Sequence, residues 1–367
     1  MISLEHPALP SLLLGRSEDR FTFDISAWRR KRILITGAAG SIGQALVHKL
    51  AALMPERIVA LDNSETLLTE LIRRFPPDRL RLLAPELADV GDHASMDSLL
   101  SQYRPDVVLH AAALKHVPVL EHFAFEAIEV NTLATLRLAR LAQRHGVARF
   151  LFVSTDKAVD PTSIMGASKR LAELALLAEP CANTRFASFR CGNVLASSGS
   201  VLPIWFERIA AALPLPLTAL EAERYFISLQ EAASALLLTT TLASDLALFS
   251  YALHEPVRLT RLAERLFVAL NVSRCPEFRI TGLLPGEKLR EALHYREEQL
   301  QPTWSPYISG VRSAEHRLPF GCEGLSKTTG VLSRLLETRD LRGLIRFLQS
   351  AIPTYEPSSA ITKQLTS

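Results

Sequence analysis

A glycine-rich turn between an apolar strand and a helix limits the possible folds of this chain more than any other stretch. Gly37, Gly40 and Gly43 follow the uncharged run 33–35, typical of a buried parallel strand, and lead into an amphipathic helix predicted over 44–53. In this spacing the first glycine allows a tight turn, the second lets backbone approach a pyrophosphate, and the third brings the helix close to the strand. Phosphates would then lie at the helix N-terminus. The turn therefore predicts a dinucleotide site.

An acidic residue at the end of the next apolar run supports this interpretation. Asp62 closes the run 57–62 and lies 19 residues after Gly43. A carboxylate there accepts hydrogen bonds from an adenosine ribose and disfavours a 2′-phosphate, so NAD is favoured over NADP, although the adjacent Asn63 and Ser64 leave room for a phosphate. Glycine clusters alone also occur in ordinary loops. Strand, glycines, helix, strand and acid in this order predict an α/β fold with a Rossmann-type doubly wound parallel sheet.

Composition excludes several classes of protein. The 367 residues suffice for one large domain or two unequal ones, and 48% hydrophobic with 22% charged residues is ordinary for a globular protein. With 41 basic and 38 acidic residues, the net charge of +3 is too balanced to indicate a nucleic-acid partner. No segment approaches the roughly 18 uncharged apolar residues of a membrane span, and the N-terminus does not resemble a signal peptide. We expect a cytoplasmic protein with a small-molecule partner.

Cysteines and histidines give no sign of a metal site. The four cysteines lie far apart in the sequence, at Cys181, Cys191, Cys275 and Cys322. Without a Cys-x-x-Cys pair they are expected to be partly buried thiols of a reducing compartment. Three histidines recur every six residues, at His110, His116 and His122. That spacing places them neither on one helical face nor on one strand face, so we predict no metal ligands.

Further elements follow the second strand in an alternating order. They are predicted as helix 65–75, strand 80–83, strand 106–111, helix 126–145, strand 149–154, strand 184–190, and helices 231–242, 259–270, 330–337 and 341–350. The chain divides into an N-terminal lead-in (1–30), a cofactor-binding domain (31–190), an interleaved smaller substrate-binding lobe (191–303), and C-terminal helices (304–367) with a loose tail from Thr354.

Two residues near the predicted cofactor have alternative interpretations. Asp89 falls where a Rossmann loop passes the adenine ring, but a helix-cap or turn aspartate is as good an explanation. Lys115 follows the small residues 111–113 at the ligand edge of the sheet, where a side chain would point at the ligand. A solvated loop lysine is the alternative.

A group of candidate catalytic residues follows the fifth predicted strand. Asp156 and Lys157 are adjacent at the ligand edge and offer an acid and a base for chemistry beyond hydride transfer, the alternative being a turn ion pair. Met165 and Lys169 lie four residues apart, so both can face the nicotinamide from one side of a helix. In short-chain dehydrogenases that face carries Tyr-x-x-x-Lys, with the tyrosine as base. A thioether cannot accept a proton at working pH, so Met165 cannot replace it.

These motifs resemble those of the nucleotide-sugar 4,6-dehydratases of bacterial polysaccharide biosynthesis, in the extended short-chain dehydrogenase/reductase superfamily. The segments that carry the resemblance are 111–118, 154–158, 165–170, 190–203, 224–226 and 285–288, within about residues 13–303. Members with a membrane-spanning N-terminal half are the most similar, because they too have methionine instead of tyrosine. The chain resembles only their soluble half.

The resemblance implies a reaction on UDP-N-acetylglucosamine or a close relative. A hydride leaves C4, water is lost across C5 and C6, and the hydride returns to C6, so a tightly bound NAD or NADP is regenerated in each cycle. Lys157 would remove the C5 proton and Asp156 would protonate the departing hydroxyl. Thr155 would bind a sugar hydroxyl, and Lys169 the nicotinamide ribose. Thr155, water or a lysine remains open as the acceptor of the C4 hydroxyl proton, since Met165 only occupies the base position.

The resemblance also assigns ligand contacts. Cofactor contacts are expected from Gly37, Gly40, Ser41, Ile42, Gly43, Asp62, Asn63, Ser64, Asp89, Val90, Ala111, Ala112, Ala113, Lys115, Asn131 and Lys169. Contacts to the nucleotide sugar are expected from Lys115, Asn193, Ser200, Val201, Arg224 and Glu287. Leu284 stands where the family has arginine, so one cation for the UDP group is missing. By analogy with the superfamily we also expect a homo-oligomer.

Two alternatives to the dehydratase stay open. A 4-epimerase or simple dehydrogenase of the same fold would not need the Asp156 and Lys157 pair, but it would need a proton acceptor where Met165 stands. A cofactor-binding regulatory protein without catalysis is the other alternative, motivated by Met165 and Leu284.

Overall fold

The computed structural model describes residues 3–4, 6–18, 21, 24–178, 183–242, 247–252, 255–312 and 324–366. Cys181 and Cys322 lie outside the described residues, whereas Cys191 is a buried and Cys275 an exposed thiol. Within the described parts of the chain, no helix has both the length and the apolar character needed to cross a membrane.

A nine-stranded sheet forms the centre of the molecule. The strands of the chain are β1 (Arg32–Thr36), β2 (Arg57–Asp62), β3 (Leu83–Leu87), β4 (Val107–His110), β5 (Arg149–Thr155), β6 (Arg185–Cys191), β7 (Asn193–Val194), β8 (Leu215–Leu217), β9 (Glu223–Arg224), β10 (Phe226–Ile227), β11 (Leu248–Tyr251), β12 (Val257–Arg258), β13 (Phe278–Ile280), β14 (Gln299–Pro302) and β15 (Ile308–Arg312). The central sheet has the order β14-β15-β11-β6-β5-β4-β1-β2-β3, in which β15 runs antiparallel to both of its neighbours, β11 and β14, and the strands from β11 to β3 run parallel to one another. The six N-terminal strands thus have the Rossmann order, which confirms the predicted fold class.

Helices cover both faces of this sheet. They are α1 (Leu9–Leu14), α2 (Ser41–Ala52), α3 (Glu65–Arg74), α4 (His93–Tyr103), α5 (Val117–Leu120), α6 (Ala124–Ile128), α7 (Thr135–Arg144), α8 (Ile164–Leu177), α9 (Val201–Ala210), α10 (Leu229–Leu242), α11 (Leu259–Ala269), α12 (Gly324–Glu337), α13 (Leu341–Ala351) and α14 (Ser359–Thr366). A π-helical segment, Glu129–Ala134, joins α6 to α7, so the helix predicted over 126–145 is interrupted.

The core explains why the first strands form where the pattern predicts them. Ile33 to Ile35 of β1 pair with Ile58 to Ala60 of β2 on one side and with Val107 to Leu109 of β4 on the other, and all these side chains are buried. One apolar cluster joins the sheet to α2 and α10, and a second joins its other face to α4, α7 and α8. A separate cluster of α1, α9 and α11 forms the smaller lobe beside β8.

Two sequence predictions about local structure are wrong. The segment 80–83 is not the third strand: Pro77–Leu82 is a 3₁₀ helix, and β3 begins at Leu83. Because β3 is an edge strand with exposed positions, its apolar signal is weaker than that of the preceding turn. The tail from Thr354 is not loose either. It ends in α14, where Ile361 is buried and Gln364 donates to the Glu121 carbonyl at 2.7 Å.

Candidate active site

The turn after β1 is built so tightly that only glycine fits at two positions. Gly37 has φ of +65°, and a Cβ there would lie 2.7 Å from the Ala112 backbone. A Cβ on Gly43 would lie 2.0 Å from the Gly37 carbonyl oxygen. Gly40 precedes α2 as its N-cap, and no side chain caps this end of the helix. The turn therefore brings bare backbone and the uncapped start of α2 to the ligand edge, as an anion site requires.

The acidic residue at the end of β2 is part of the same turn. Asp62 accepts hydrogen bonds from the Ala39 amide at 2.9 Å and from the Ser64 amide at 3.0 Å, one on each carboxylate oxygen. Each oxygen keeps a lone pair for a ribose hydroxyl. Asn63 donates to Asp89 at 3.1 Å, and Asp89 also accepts the Gly91 amide at 2.7 Å. Asp89 is thus a turn aspartate, and its adenine contact stays a prediction.

The loop after β4 is fixed by a buried asparagine and contacts the segment before α9. Asn131 is fully buried, and its amide group bonds the backbone N–H and carbonyl of Leu114, each at 2.9 Å. The adjacent Lys115 donates to the Ser198 carbonyl at 2.5 Å. Ser198 in turn donates its backbone N–H to the Ser41 hydroxyl at 3.1 Å. Two residues predicted to bind the cofactor, Ser41 and Lys115, therefore meet the same segment, and their ligand contacts stay predictions.

The residues Ile42, Val90 and 111–113 complete the predicted cofactor surface. Val90 is buried under the β3 end, and Ile42 packs partly buried against the core. The alanines 111–113 extend β4 and are half-buried, so the backbone at this edge is accessible.

The histidines predicted not to bind a metal do not come together. His110 is fully buried between the hydroxyls of Thr36 and Thr135, at 2.6 and 2.8 Å. Burial and the nearby Lys169 lower the pKa of His110 to about 3, so it is neutral. Among the described residues, no group of three His, Cys, Asp or Glu side chains could hold a metal ion.

The turn after β5 holds the predicted acid and base. Thr155 donates its hydroxyl to Asp156 Oδ1 at 2.9 Å, and Asp156 is fully buried. Lys157 Nζ lies 3.0 Å from the same carboxylate oxygen and 3.0 Å from Asn193 Oδ1 at the start of β7. The turn ion pair therefore exists, and the Lys157 side chain is only 19% exposed. The catalytic interpretation of the pair stays a prediction.

A second carboxylate near Lys157 was not predicted from the sequence. Glu291 Oε1 lies 3.9 Å from Lys157 Nζ, and Oε2 lies 3.3 Å from Lys288 Nζ. The only local signal is its position three residues after Lys288, the last residue of the motif 285–288. Nothing in the sequence indicates that this loop reaches a turn at 157.

Lys169 and Met165, the two residues of α8 predicted near the nicotinamide, lie in different surroundings. Lys169 donates to the Val153 carbonyl at 3.0 Å and lies 4.4 Å above the Phe152 ring. Burial lowers the pKa of Lys169 to about 7, against the opposing effects of Cys191 and Glu173. Met165 is buried in the apolar cluster that α8 forms with α12 and α13. Met165 thus contributes packing to the site, and its thioether cannot act as a base.

A buried network of arginine and glutamate includes two further residues of α8. We call it the Arg–Glu network; its members are Arg170, Glu173, Arg190 and Glu298. Arg190 bonds Glu173 at 3.0 Å and Glu298 at 2.7 Å, and Glu173 also accepts the Ser154 hydroxyl at 2.6 Å. The network joins α8, β6 and the loop before β14. Only the spacing of Arg170 and Glu173, three apart on a helix, hinted at it.

The remaining predicted sugar-nucleotide residues lie on the loop around 284–289 and at the start of α9. Arg224 donates to the carbonyls of Glu223, Lys288 and Leu289 at 2.7 to 2.9 Å, so it holds this loop. Glu287 accepts the amide of the exposed Leu284 at 3.0 Å. Ser200 is the N-cap of α9, which begins at Val201. Asn193 hydrogen-bonds the Asp156–Lys157 turn through Lys157, and the substrate contacts of all these residues stay predictions.

Comparison with known proteins identifies one family. The family model described as "Polysaccharide biosynthesis protein" matches residues 33–312. The probable polysaccharide biosynthesis protein EpsC of Bacillus subtilis is 37% identical over 73% of this chain, which spans about half (46%) of EpsC. A UDP-N-acetylglucosamine 4,6-dehydratase (inverting) of Campylobacter jejuni is 31% identical over 72% of this chain and 78% of its own length.

A solved structure has the same architecture. The X-ray structure of Pen from Bacillus thuringiensis superposes with a TM-score of 0.72 at 26% sequence identity, covering 79% of this chain and 90% of Pen.

Proposed function

The chain belongs to the polysaccharide biosynthesis protein family of the extended short-chain dehydrogenase/reductase superfamily, and from that premise we propose that it is a nucleotide-sugar 4,6-dehydratase. We propose UDP-N-acetylglucosamine or a related UDP-sugar as the substrate, because a relative with that named activity matches most of the chain. One observation carries the proposal. The buried Asp156 carboxylate and the Lys157 ammonium lie together at the end of β5, beside Asn193.

The residues at the ligand edge fit a nicotinamide dinucleotide. Gly37 and Gly43 leave no room for a Cβ, α2 begins without a side-chain cap, and Asp62 keeps lone pairs for a ribose. We propose NAD as the preferred form, since a carboxylate at this position disfavours a 2′-phosphate. When bound, the nicotinamide supplies a temporary hydride acceptor for C4 and a hydride donor for C6.

The protein side chains would move the protons. Lys157 removes the C5 proton, which is acidic once C4 is a ketone, and Asp156 protonates the departing C6 hydroxyl. Because the Thr155 hydroxyl donates to Asp156 at 2.9 Å, a proton from the C4 hydroxyl can pass through Thr155 to that carboxylate. Asp156 then holds the proton that the departing hydroxyl requires. When the hydride has returned to C6, C5 must regain a proton, and Lys157, now an ammonium, can supply it. We assign Lys169, one turn of α8 from the buried Met165, to the nicotinamide ribose.

The Asp156 and Lys157 pair favours the dehydratase over the epimerase. Both reactions need an acceptor for the C4 hydroxyl proton, which the Met165 thioether cannot be, but only the dehydratase also needs an acid and a base for the loss of water across C5 and C6. A non-catalytic role leaves the burial of Asp156 unexplained, because one of its oxygens has no hydrogen-bond partner among the described residues.

One assay separates the three functions. We would incubate the purified protein with UDP-N-acetylglucosamine and NAD and follow the mass of the product. A product lighter by one water supports dehydration, an isobaric product supports epimerisation, and unchanged substrate with NAD bound supports a regulatory protein. Asp156→Asn keeps the shape of the side chain but removes the acid, so it should abolish the loss of water while NAD still binds.

The assembly and location of the protein are further proposals. We propose a homo-oligomer that acts in the cytoplasm, where nucleotide sugars are made and used. The apolar face of α8 packs against α12 and α13 of the same chain, so a subunit contact would use another face. Light scattering of the purified protein would give the subunit number, and a monomer at micromolar concentration would contradict the proposed oligomer.

A further inference from the structure

Four charged side chains of alternating sign form a row that starts at the turn after β5. Asp156 and Lys157 are 3.0 Å apart, Lys157 and Glu291 are 3.9 Å apart, and Glu291 and Lys288 are 3.3 Å apart. Lys157 therefore has a carboxylate from its own turn and a second one from the loop of the substrate lobe. Asn193 is its third polar neighbour, at 3.0 Å.

Burial makes the second carboxylate unusual. The Glu291 side chain is only 3% exposed, and its Oε2 has no hydrogen-bond partner within the described part of the chain. Lys288 Nζ lies 3.3 Å from this oxygen as an ion pair, and the same ammonium donates a hydrogen bond to the Val159 carbonyl at 2.7 Å. A buried carboxylate without a full set of hydrogen bonds costs stability, so a glutamate kept in such a place is a candidate for a role in the reaction.

We propose that Glu291 is a positioning residue of the active centre, a buried anion that holds the Lys157 ammonium beside Asn193 and sets the pH at which this lysine can act as a base. The inference rests on the proposed function, in which Lys157 removes the C5 proton. Glu291 itself touches neither cofactor nor sugar in this role, and it acts only through Lys157.

The charges around Lys157 determine the sign of the effect. Burial opposes the positive charge, but the carboxylates Asp156 and Glu291 outweigh it, so the pKa of Lys157 lies above its usual value. Arg224 lowers the pKa from the side of β9, and Lys288 faces Glu291 from its own loop. Neutralising Glu291 removes one of the two anions. The pKa of Lys157 must then fall.

The test measures this titration directly in the protein without substrate. We would label lysines competitively with acetic anhydride across a pH series and quantify the Lys157 peptide by mass spectrometry. In Glu291→Gln the midpoint of Lys157 labelling should move to lower pH by roughly one to two units. The acid limb of kcat/KM should move in the same direction. Glu291→Asp keeps the charge, so its labelling midpoint should lie near that of the wild type.

Glu298→Gln is the matched control, since it neutralises another buried glutamate of the same loop region. It loses bonds to Arg190 and to the Tyr295 amide, so unfolding should begin at lower urea concentration while the Lys157 midpoint stays unchanged. A merely structural role for Glu291 predicts the same behaviour in Glu291→Gln. If Glu291→Gln does not fold, the double variant Glu291→Gln/Lys288→Met takes its place in the experiment. It removes both charges of the Glu291–Lys288 ion pair together, so neither charge is left buried alone.

The outcomes separate this inference from the proposed function. An unmoved Lys157 midpoint in a folded Glu291→Gln protein overturns the inference, even if the wild type dehydrates UDP-N-acetylglucosamine. A shifted midpoint in a protein that dehydrates no sugar supports the contact between Glu291 and Lys157 and refutes the dehydratase.

Discussion

The Arg–Glu network and the row from Asp156 to Lys288 are both clusters of buried charge, but their carboxylates are bonded differently. In the Arg–Glu network every oxygen of Glu173 and Glu298 accepts at least one hydrogen bond. In the row, one oxygen of Asp156 and one of Glu291 accept none from the described residues. The carboxylates of both clusters are buried, so burial alone does not distinguish them.

A buried charge cluster can therefore be assigned a role from its missing bonds. The Arg–Glu network holds α8, β6 and the loop before β14 together, and none of its carboxylate oxygens is left without a hydrogen bond, although two nitrogens of Arg170 have no partner among the described residues. The row from Asp156 to Lys288 keeps carboxylate oxygens that substrate groups or transferred protons can use. By this criterion Arg190 stabilises the fold and Lys157 takes part in the reaction, although both are cations paired with buried carboxylates.

Replacing Lys157 should give the largest effect on activity. Lys157→Met removes the proposed base, so product formation should fall by about 10²–10⁴-fold while circular dichroism shows a folded protein. Lys363→Met, on the exposed face of α14, is the control and should leave the rate unchanged. Equal rates for the wild type and Lys157→Met would contradict a catalytic role for the row from Asp156 to Lys288.

Replacing Arg190 should give the largest effect on stability. Arg190→Met leaves Glu173 and Glu298 buried with fewer partners, so the free energy of unfolding in urea should fall by roughly 3–5 kcal/mol. Arg258→Met breaks an ion pair with Glu223 that is exposed on the arginine side, and it should cost no more than about 1 kcal/mol. A similar cost for both variants would remove the contrast between the clusters.

Lys169 is buried outside both clusters, and it should make stability depend on pH. Its pKa is about 7 in the folded protein, well below that of an unfolded lysine, so the folded state binds fewer protons above pH 7. Stability should therefore rise with pH from 7 toward 10, by up to about 1.4 kcal/mol per unit, and this contribution is lost as pH falls through 7. Urea unfolding of Lys169→Met should lack the rise. If the unfolding free energies of the wild type and of Lys169→Met changed in parallel with pH, Lys169 would not be buried as a neutral amine.

The smallest expected effect concerns the nucleotide end of the sugar site. Leu284→Arg restores the cation that the family has at this position, and one charge-assisted bond to a diphosphate should tighten UDP binding by about tenfold. Leu283→Arg adds the same charge to the neighbouring exposed residue and is the matched control. Isothermal titration with UDP compares them. Equal UDP affinities for Leu284→Arg and Leu283→Arg would mean that position 284 makes no specific contact with the diphosphate.

Local patterns were sufficient to predict the cofactor half from the sequence. The glycine turn, the strand ending at Asp62 and the turn at Thr155 to Lys157 each depend on residues that are close in the sequence, and each lies where the pattern predicted. The edge strand β3 was misplaced because its exposed positions dilute its apolar signal. The docking of α14 was missed because it depends on contacts with Glu121, far away in the sequence.

The parts of the site that the sequence did not reveal depend on long-range contacts between loops. Glu291 approaches Lys157, and Glu298 approaches Arg190, although each pair is more than 100 residues apart in the sequence. Neither periodicity nor motif spacing carries that information. The resemblance to a known family predicted Asp156 and Lys157 as acid and base, but not the second carboxylate beside Lys157.

The central claim is that one hydride leaves C4 of the sugar and returns to C6 of the same molecule while water is lost between these steps. UDP-N-acetylglucosamine deuterated at C4 tests it directly, with the position of the label in the product read by NMR. The account predicts that the deuterium appears at C6 of a product lighter by one water. Deuterium that remains at C4, or that is left on released cofactor, would contradict it.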